Sequence, residues 1–132
     1  MPEAAQLCDA YQFGDQADAL VKLVIKGEKT ATTSSYDLYE PDEQLPFVGE
    51  YDVILNAKDQ PVCVTRTDKV EVKTYLDVPK SHAFNEGEGD KSLTYWRRVH
   101  NEFFRKEYAS VGQKFDPQTA KMVLETFHVI YQ

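Results

Sequence analysis

The segment from Lys26 to Tyr36 constrains the fold most strongly, because a helical pattern stops there and a strand-like pattern begins. Upstream, apolar residues at helical spacing predict an amphipathic helix over residues 16–26, which Gly27 ends. Downstream, Lys29 is followed by six small or hydroxyl-bearing residues. Hydroxyl side chains disfavour helix, whereas threonine suits a half-buried strand. We therefore predict a helix that leads into a strand or turn, with Lys29 at the junction.

The lysine at this junction has two interpretations. A partly desolvated ammonium beside several hydroxyl groups can bind an anionic group, or it can lose its proton and act as a base. Alternatively, Lys26 and Lys29 lie near the negative C-terminal end of the helix and stabilise it. A motif this short does not decide between the two interpretations.

The length and composition of the chain predict a single domain over residues 1–132, with residues 1–12 as a loose N-terminal arm. No apolar run is long enough to cross a bilayer, and the N-terminus lacks the layout of a signal peptide, so we expect a cytoplasmic protein with no membrane partner. The two cysteines, Cys8 and Cys63, form neither a disulfide framework nor a metal-site spacing.

The net charge of −7 bears on nucleic-acid binding. Proteins that hold long nucleic acids through phosphate contacts usually carry a basic surface. The charge therefore disfavours duplex DNA as a partner. A nucleoside, or a short single strand of RNA in a local basic cleft, is compatible with it.

The remaining segments do not alternate regularly between strand and helix. We therefore predict an α+β fold with a small, mainly antiparallel, barrel-like sheet flanked by helices. Alternating and apolar patterns predict strands over residues 51–55, 61–67, 70–75 and 121–131, a helical turn over 78–84 and a long helix over 92–109.

The acidic segment Glu86–Asp90 is the second unusual stretch. Its two glycines, Gly87 and Gly89, let the backbone approach a ligand closely, and its carboxylates offer acid–base capacity. The alternative interpretation is an acidic loop that precedes a helix, where negative charge suits the N-terminal dipole.

The long predicted helix carries Trp96 and, one turn later, His100. The two side chains could stack on and contact a base, as in proteins that read single-stranded RNA, or belong to the core. Arg66, Arg97 and Arg98 could contact a phosphate or a base edge, or lie on the surface as ordinary charges.

The sequence shows no motif for a metal or a cofactor. His82 and His128 are isolated in the sequence, and Glu86–Asp90 is too short for a calcium loop. The sequence also contains no nucleophile elbow, phosphate loop or dinucleotide fingerprint. We therefore predict neither a metal ion nor another cofactor.

In combination, these segments resemble the ASCH domain family of the PUA-like superfamily. The resemblance extends from about Phe13 to Tyr131 and implies a small β-barrel with a cleft beside Lys29, where RNA or a nucleoside is expected to bind. The matching motifs are Gly27–Ser34, Leu45-Pro46-x-Val48-Gly49, Pro61–Val64, Ala83–Asp90 and Tyr95-Trp96-Arg97-x-x-His100-x-x-Phe103-Phe104.

The resemblance also implies an activity. Some small members of the family are amidohydrolases that act on N4-acetylcytidine and carry a Lys-Thr-x-Thr motif with a later glutamate. Lys29 and Thr32 match the motif, and Glu86 is the best match for the acid. In that mechanism Thr32 attacks the acyl carbon, Lys29 takes its proton, and Glu86 transfers a proton to the leaving amine. The chain departs from these enzymes at Ser34, where they have an arginine.

Two alternatives stay open at this point. One is a non-catalytic RNA-binding module, and the other is a ribonuclease, for which Lys29 and His100 are the candidate acid–base pair. The residues expected to contact the ligand in any of these functions are Thr30, Thr33, Ser34, Glu88, Arg66, Trp96, Arg97 and His100.

Overall fold

A computed structural model describes residues 7–13 and 17–132. The chain forms five strands and three α-helices, with two short 3-10 helices, at Tyr36–Leu38 and Tyr75–Asp77. The strands are β1 (Leu7–Gln12), β2 (Ala31–Ser35), β3 (Tyr51–Leu55), β4 (Pro61–Thr74) and β5 (Lys121–Tyr131), and the helices are α1 (Ala17–Ile25), α2 (Lys80–Glu86) and α3 (Leu93–Ser110).

The five strands form one mixed sheet in the order β1-β3-β4-β5-β2. Strands β1 and β3 are parallel, and the other three neighbouring pairs are antiparallel. The sheet curls into a half-barrel, which confirms the predicted α+β class with a mainly antiparallel, barrel-like sheet. Within the described residues, no helix is long and apolar enough to cross a membrane.

Strand β4 joins two segments that the sequence analysis treated as separate strands. It runs without interruption from Pro61 to Thr74 and pairs with both β3 and β5. Its register against β5 shifts between Thr67 and Lys69, so Asp68 is an extra residue in the ladder. Such an irregularity increases the local twist without ending the strand. The polar residues Asp68 and Lys69 therefore do not separate two strands, as the sequence pattern suggested.

The prediction of a loose N-terminal arm is wrong for residues 7–12. Leu7–Gln12 forms β1, which pairs in parallel with β3 at the edge of the sheet. Parallel pairing joins segments that are distant in the chain, so the local pattern does not reveal it. The rest of the predicted arm, residues 1–6, lies outside the described residues, as does residue 16 at the start of the first predicted helix.

The helices and the closing strand agree with prediction to within about two residues, the usual uncertainty of such boundaries. Two apolar clusters fill the interior. One packs α2 and α3 against the sheet through Tyr75, Trp96, Phe104 and Met122, among others. The other packs α1 against the sheet through Phe13, Val21, Val24, Ile54, Cys63 and Phe127.

Gly87 allows the end of α2 to lie directly against the segment that precedes β2. It caps α2 in the left-handed conformation, with φ of +75°. A Cβ atom at this position would lie 2.3 Å from the backbone oxygen of Glu28. The same contact is secured by a hydrogen bond from the Thr30 amide to the Asn85 carbonyl, at 2.7 Å. Lys29 is thereby brought next to Glu86, the last residue of α2.

We expect Gly87→Ala to destabilise the protein more than Gly112→Ala does. Both glycines have φ near +75°, but a Cβ at Gly112 would have no atom within 4 Å. The left-handed conformation costs an alanine about 1–2 kcal/mol at either position. At Gly87 the backbone clash adds about 1–3 kcal/mol, as overpacking does elsewhere. Urea denaturation of the two variants measures the difference, and equal losses would contradict the role of this close contact.

Candidate functional site

The site is built on an ion pair between Lys29 and Glu86. The Lys29 Nζ atom lies 3.1 Å from Glu86 Oε1, and each side chain is only 2% exposed. Glu88 contributes a second carboxylate, with Oε2 3.3 Å from Nζ, and is 22% exposed. Removing charges from water is costly, so a buried lysine and glutamate persist only when such partners are close.

The Lys29 ammonium has four oxygen atoms within hydrogen-bond distance, of which the Glu86 carbonyl oxygen is the most distant, at 3.5 Å. Besides the carboxylates of Glu86 and Glu88, Nζ donates to the carbonyl of Ala31 at 3.0 Å. An ammonium has three donors and no lone pair with which to accept a proton. The arrangement therefore presents Lys29 as a fixed cation.

The other oxygen of the Glu86 carboxylate is also fully engaged. Oε2 accepts hydrogen bonds from Thr33 Oγ1 and from Trp96 Nε1, each at 2.6 Å. Burial alone would raise the pKa of Glu86, but the Lys29 charge, a hydrogen bond from His82 and the charges of nearby histidines hold this pKa well below its usual range. Glu86 is thus an ionised anchor that accepts hydrogen bonds from Lys29, Thr33 and Trp96.

His82 belongs to this network, although the sequence analysis treated it as isolated. Its Nε2 atom lies 2.8 Å from Thr33 Oγ1 and 3.4 Å from Glu86 Oε2, and the side chain is buried. Because Thr33 donates its only hydroxyl hydrogen to Glu86, its oxygen must accept from His82. The signal in the sequence was the spacing of four residues between His82 and Glu86, which places both on one face of a helix.

Consecutive hydroxyls of β2 point to opposite faces of the sheet, as in any strand. Thr33 and Ser35 face the helices, where Ser35 donates to Glu107 of α3 at 2.7 Å. Ser34 faces the other way, with its Oγ 2.9 Å from Tyr39 Oη. Within residues 7–13 and 17–132, the Thr32 hydroxyl forms no side-chain hydrogen bond.

A cavity of about 770 Å³, here called the Lys29 cavity, opens beside the ion pair. Its volume lies within the range of ligand-binding pockets, about 300–1,000 Å³. The wall includes six predicted site residues, Lys29, Thr32, Thr33, Glu86, Glu88 and His100. All three residues that the resemblance assigned to catalysis therefore line one cavity.

The other predicted contact residues lie elsewhere. Trp96 is 3% exposed and supports Glu86 from within the core. Thr30 Oγ1 donates to the Asn85 carbonyl at 3.5 Å, and Ser34 lies on the opposite side of β2. Arg66 is at the surface, 3.5 Å from Asp68.

The Arg97 side chain binds backbone carbonyl groups of the protein itself. Its guanidinium donates to the carbonyls of Tyr75, Leu76 and Val78 and lies over the rings of Tyr75 and Trp96. These contacts satisfy the end of a 3-10 helix next to α2. The sequence pattern could not distinguish this arrangement from ligand binding, because the contacts join residues about 20 positions apart.

Apart from Arg98 and His100, the residues that α3 contributes to the wall of the cavity were not predicted from the sequence. The Arg98 guanidinium lies 5.2 Å from the Tyr95 ring centroid, and that ring packs so tightly on Gly89 that a Cβ there would lie 2.5 Å from it. The wall residues recur at helical spacing beside the apolar face, which is the signal that could have identified them. They are Tyr95, Arg98, Val99, Glu102, Phe103, Lys106, Glu107 and Ser110.

A second cavity, of about 310 Å³, lies on the other face of β2, and Thr32 lines both cavities. It contains the buried carboxylates of Glu50, Asp52 and Glu125, whose oxygens come within 4.8 Å of one another. In the described part of the chain, these three carboxylates are the group of acidic, histidine or cysteine side chains whose ligand atoms lie close enough together to hold a metal ion. Burial raises the pKa of Glu125 to about 7. The negative charge of Glu50 also raises this pKa, whereas the hydrogen bond from Thr67 lowers it. A proton on Glu125 therefore relieves the repulsion within the trio.

We expect Glu86→Gln to lower the free energy of unfolding by about 3–5 kcal/mol, the usual cost of removing one partner of a buried ion pair. Glutamine keeps the size of the side chain, so the loss reports the charge. Glu102→Gln is the control, because the Glu102–Lys106 pair is exposed, and such pairs contribute less than about 1 kcal/mol. Urea denaturation measures both, and a loss of under about 1 kcal/mol for Glu86→Gln would contradict a buried pair.

The stability of the protein should decrease as the pH rises from about 4.5 to about 7, through the raised pKa of Glu125. In this range the folded state binds more protons than the unfolded state, because Glu125 keeps its proton only when folded. The contribution is up to about 3 kcal/mol, from 1.36 kcal/mol per pKa unit. Urea denaturation midpoints measured at several pH values give the dependence of stability on pH. Glu125→Gln should remove the contribution of Glu125 to this dependence, and an unchanged dependence in the variant would contradict the raised pKa.

The sequence of the chain matches the ASCH domain family over residues 9–131. Among proteins with a curated function, none matches. The crystal structure of an ASCH domain from Lactobacillus crispatus JV V101 is 34% identical with a TM-score of 0.88, covering 94% of this chain and 80% of that chain. Protein EF3133 from Enterococcus faecalis V583 is 38% identical with a TM-score of 0.85, covering 95% and 81%.

The hypothetical protein PH0355 shares the fold alone, at 16% identity and a TM-score of 0.59 over 92% of this chain and 96% of that chain. The family match spans nearly the whole chain and includes the lysine, threonine and glutamate of the Lys29 cavity. The chain therefore belongs to the ASCH domain family.

Proposed function

We propose that the protein binds a nucleoside, free or within a short RNA, in the Lys29 cavity and hydrolyses an acyl group carried by the base. The observation that carries the proposal is the almost fully buried Lys29–Glu86 ion pair in the wall of a ligand-sized cavity that Thr32 also lines. N4-acetylcytidine is the substrate type that the family resemblance suggests.

The energetics of the ion pair support a role in ligand binding. A buried ion pair adds little net stability compared with a well-packed apolar pair. Beside a partly enclosed cavity, its field acts on a ligand with less screening by water than at the surface. Lys29 and Glu86 are therefore better suited to orienting a polar ligand than to holding the fold together.

The contacts suggest a division of roles in the reaction. Thr32 provides the hydroxyl that attacks the acyl carbon. Lys29, held as a cation, stabilises the negative charge that develops on the acyl oxygen, as donors of an oxyanion hole do. Glu88 is the most exposed of the three Lys29 partners, so the ligand's oxygen would replace it as an acceptor. Glu86, which is held by three donors, orients Lys29.

The shape and charge of the protein favour a small ligand. Tyr95 and Phe103 give the cavity aromatic walls on which a base can stack. The net charge of −7 works against extended contact with RNA phosphates. One base or nucleoside in the cavity satisfies both conditions.

Incubation with N4-acetylcytidine, followed by chromatography of cytidine, tests the proposal. We expect Lys29→Met and Thr32→Val to lower turnover by at least about 100-fold, since each removes a group that acts on the transition state. Lys26→Met, which changes an exposed lysine three residues upstream, is the matched control and should keep wild-type turnover. Full activity in Lys29→Met or Thr32→Val would contradict the assigned roles.

A non-catalytic RNA-binding role is the second candidate. Arg98, stacked on Tyr95 at the cavity, is the observation that favours it. This role gives binding of short RNA that weakens steeply with salt, without any product. Binding without turnover in the same assays would therefore favour this candidate over hydrolysis.

A further inference from the structure

The hydrogen bonding of His100 fixes which of its ring nitrogens carries the hydrogen. Nδ1 lies 2.9 Å from the carbonyl oxygen of Trp96, one turn earlier in α3. A carbonyl oxygen can only accept, so Nδ1 must be the donor. In the neutral ring, Nε2 then has no hydrogen and offers a lone pair.

This bare nitrogen belongs to a ring that lines the Lys29 cavity. The side chain of His100 is 13% exposed, and Nε2 lies 3.9 Å from Glu86 Oε1, too far for a hydrogen bond. Among the described residues, no donor engages Nε2. The nitrogen is thus available to a group bound in the cavity.

The ring is held in one orientation by its neighbours. It stacks on Trp96 with ring centroids 4.2 Å apart and planes 14° apart, and it also contacts Phe104. Trp96 is in turn fixed by its 2.6 Å hydrogen bond to Glu86. Functional groups whose orientation is set by such supporting contacts are well placed for catalysis.

Other ionisable groups in the cavity are less suited to accept a proton. Lys29 is held as an ammonium, and both oxygens of Glu86 accept from strong donors. Glu107 accepts from Ser35, and Glu102 is exposed and paired with Lys106. Glu88 already accepts from Lys29 through Oε2. His100, 13% exposed, is left with a ring nitrogen that no donor engages among the described residues.

We propose that His100 is the general base of the Lys29 cavity, an inference that rests on the proposed hydrolytic function. Nε2 accepts the proton of the Thr32 hydroxyl as its oxygen bonds to the acyl carbon. It then gives this proton to the amine nitrogen as the C–N bond breaks. The nearby Glu86 carboxylate stabilises the imidazolium between the two transfers.

The second half of the reaction returns the enzyme to its starting state. Water attacks the acyl-threonine ester, and Nε2 accepts one of its protons. The bond between the acyl carbon and Thr32 Oγ1 breaks, and Nε2 returns the proton to Oγ1. The products are the free amine and the carboxylic acid, so one water molecule is consumed in each turnover.

The tautomer of His100 can be measured without any substrate. Nitrogen-15 spectra of the imidazole rings at about pH 8, above the usual pKa of histidine, distinguish a protonated from a bare ring nitrogen. We expect the hydrogen on Nδ1 and a bare Nε2 for His100. A hydrogen on Nε2 would overturn the proposal, whatever the protein hydrolyses.

The catalytic step is tested with His100→Asn on an acylated nucleoside. Asparagine can keep the hydrogen bond to the Trp96 carbonyl but has no group at the position of Nε2. We expect kcat to fall at least about 100-fold, the lower range for a lost general base. His128→Asn, at an exposed histidine, should keep wild-type kcat.

The outcomes separate the two proposals. Wild-type turnover that survives in His100→Asn would overturn the role of His100 and leave the hydrolytic function in place. No turnover by the wild type would overturn the hydrolytic function, and the proton transfer with it, even if Nε2 proves to be bare.

Discussion

The buried pair of Lys29 and Glu86 is the interaction on which the site depends. It joins a residue two positions before the edge strand β2 to the last residue of α2, 57 positions later. A charge at either position would be unstable alone in the interior. The two segments must therefore meet, and Gly87, which has no side chain, lets their backbones come close enough.

The Glu86 carboxylate also organises the surrounding elements. It accepts from Thr33 of β2 and from Trp96 of α3, so one group links a strand, a short helix and the long helix. Because Trp96 supports the ring of His100, the same carboxylate orients a side chain that it does not hydrogen-bond. The cavity is thus bounded by groups whose positions depend on one another, and this rigidity suits selective binding.

Local sequence patterns predicted the elements that depend on local spacing. The junction after Gly27, helix α3 and strand β5 follow from hydrophobic periodicity and helix-ending signals. The pairing of β1 with β3 is non-local, and the continuity of β4 through Asp68 depends on its two neighbours in the sheet. Neither feature has a signature within its own segment.

The candidate site was predictable only in part, for a similar physical reason. Spacing singled out Lys29 and the acidic segment separately, and family resemblance was needed to join them. The role of His82 was not predicted, because it depends on contacts with Thr33 and Glu86 that form only in the folded protein. Arg97 was expected at a ligand, but its guanidinium satisfies backbone carbonyls, a role that depends on the folded path of the chain.

The ionisation of Glu86 tests this account most directly, and Trp96, the only tryptophan, reports it. Its indole N–H gives one signal in a proton–nitrogen correlation spectrum, which can be followed as the pH is lowered from about 5.5 to about 3.5, below the usual range of histidine and across that of glutamate. We expect a signal whose position stays constant through this range, because Glu86 remains ionised beside Lys29. A signal that moves with a midpoint near about 4.3, the value of an ordinary glutamate, would contradict it.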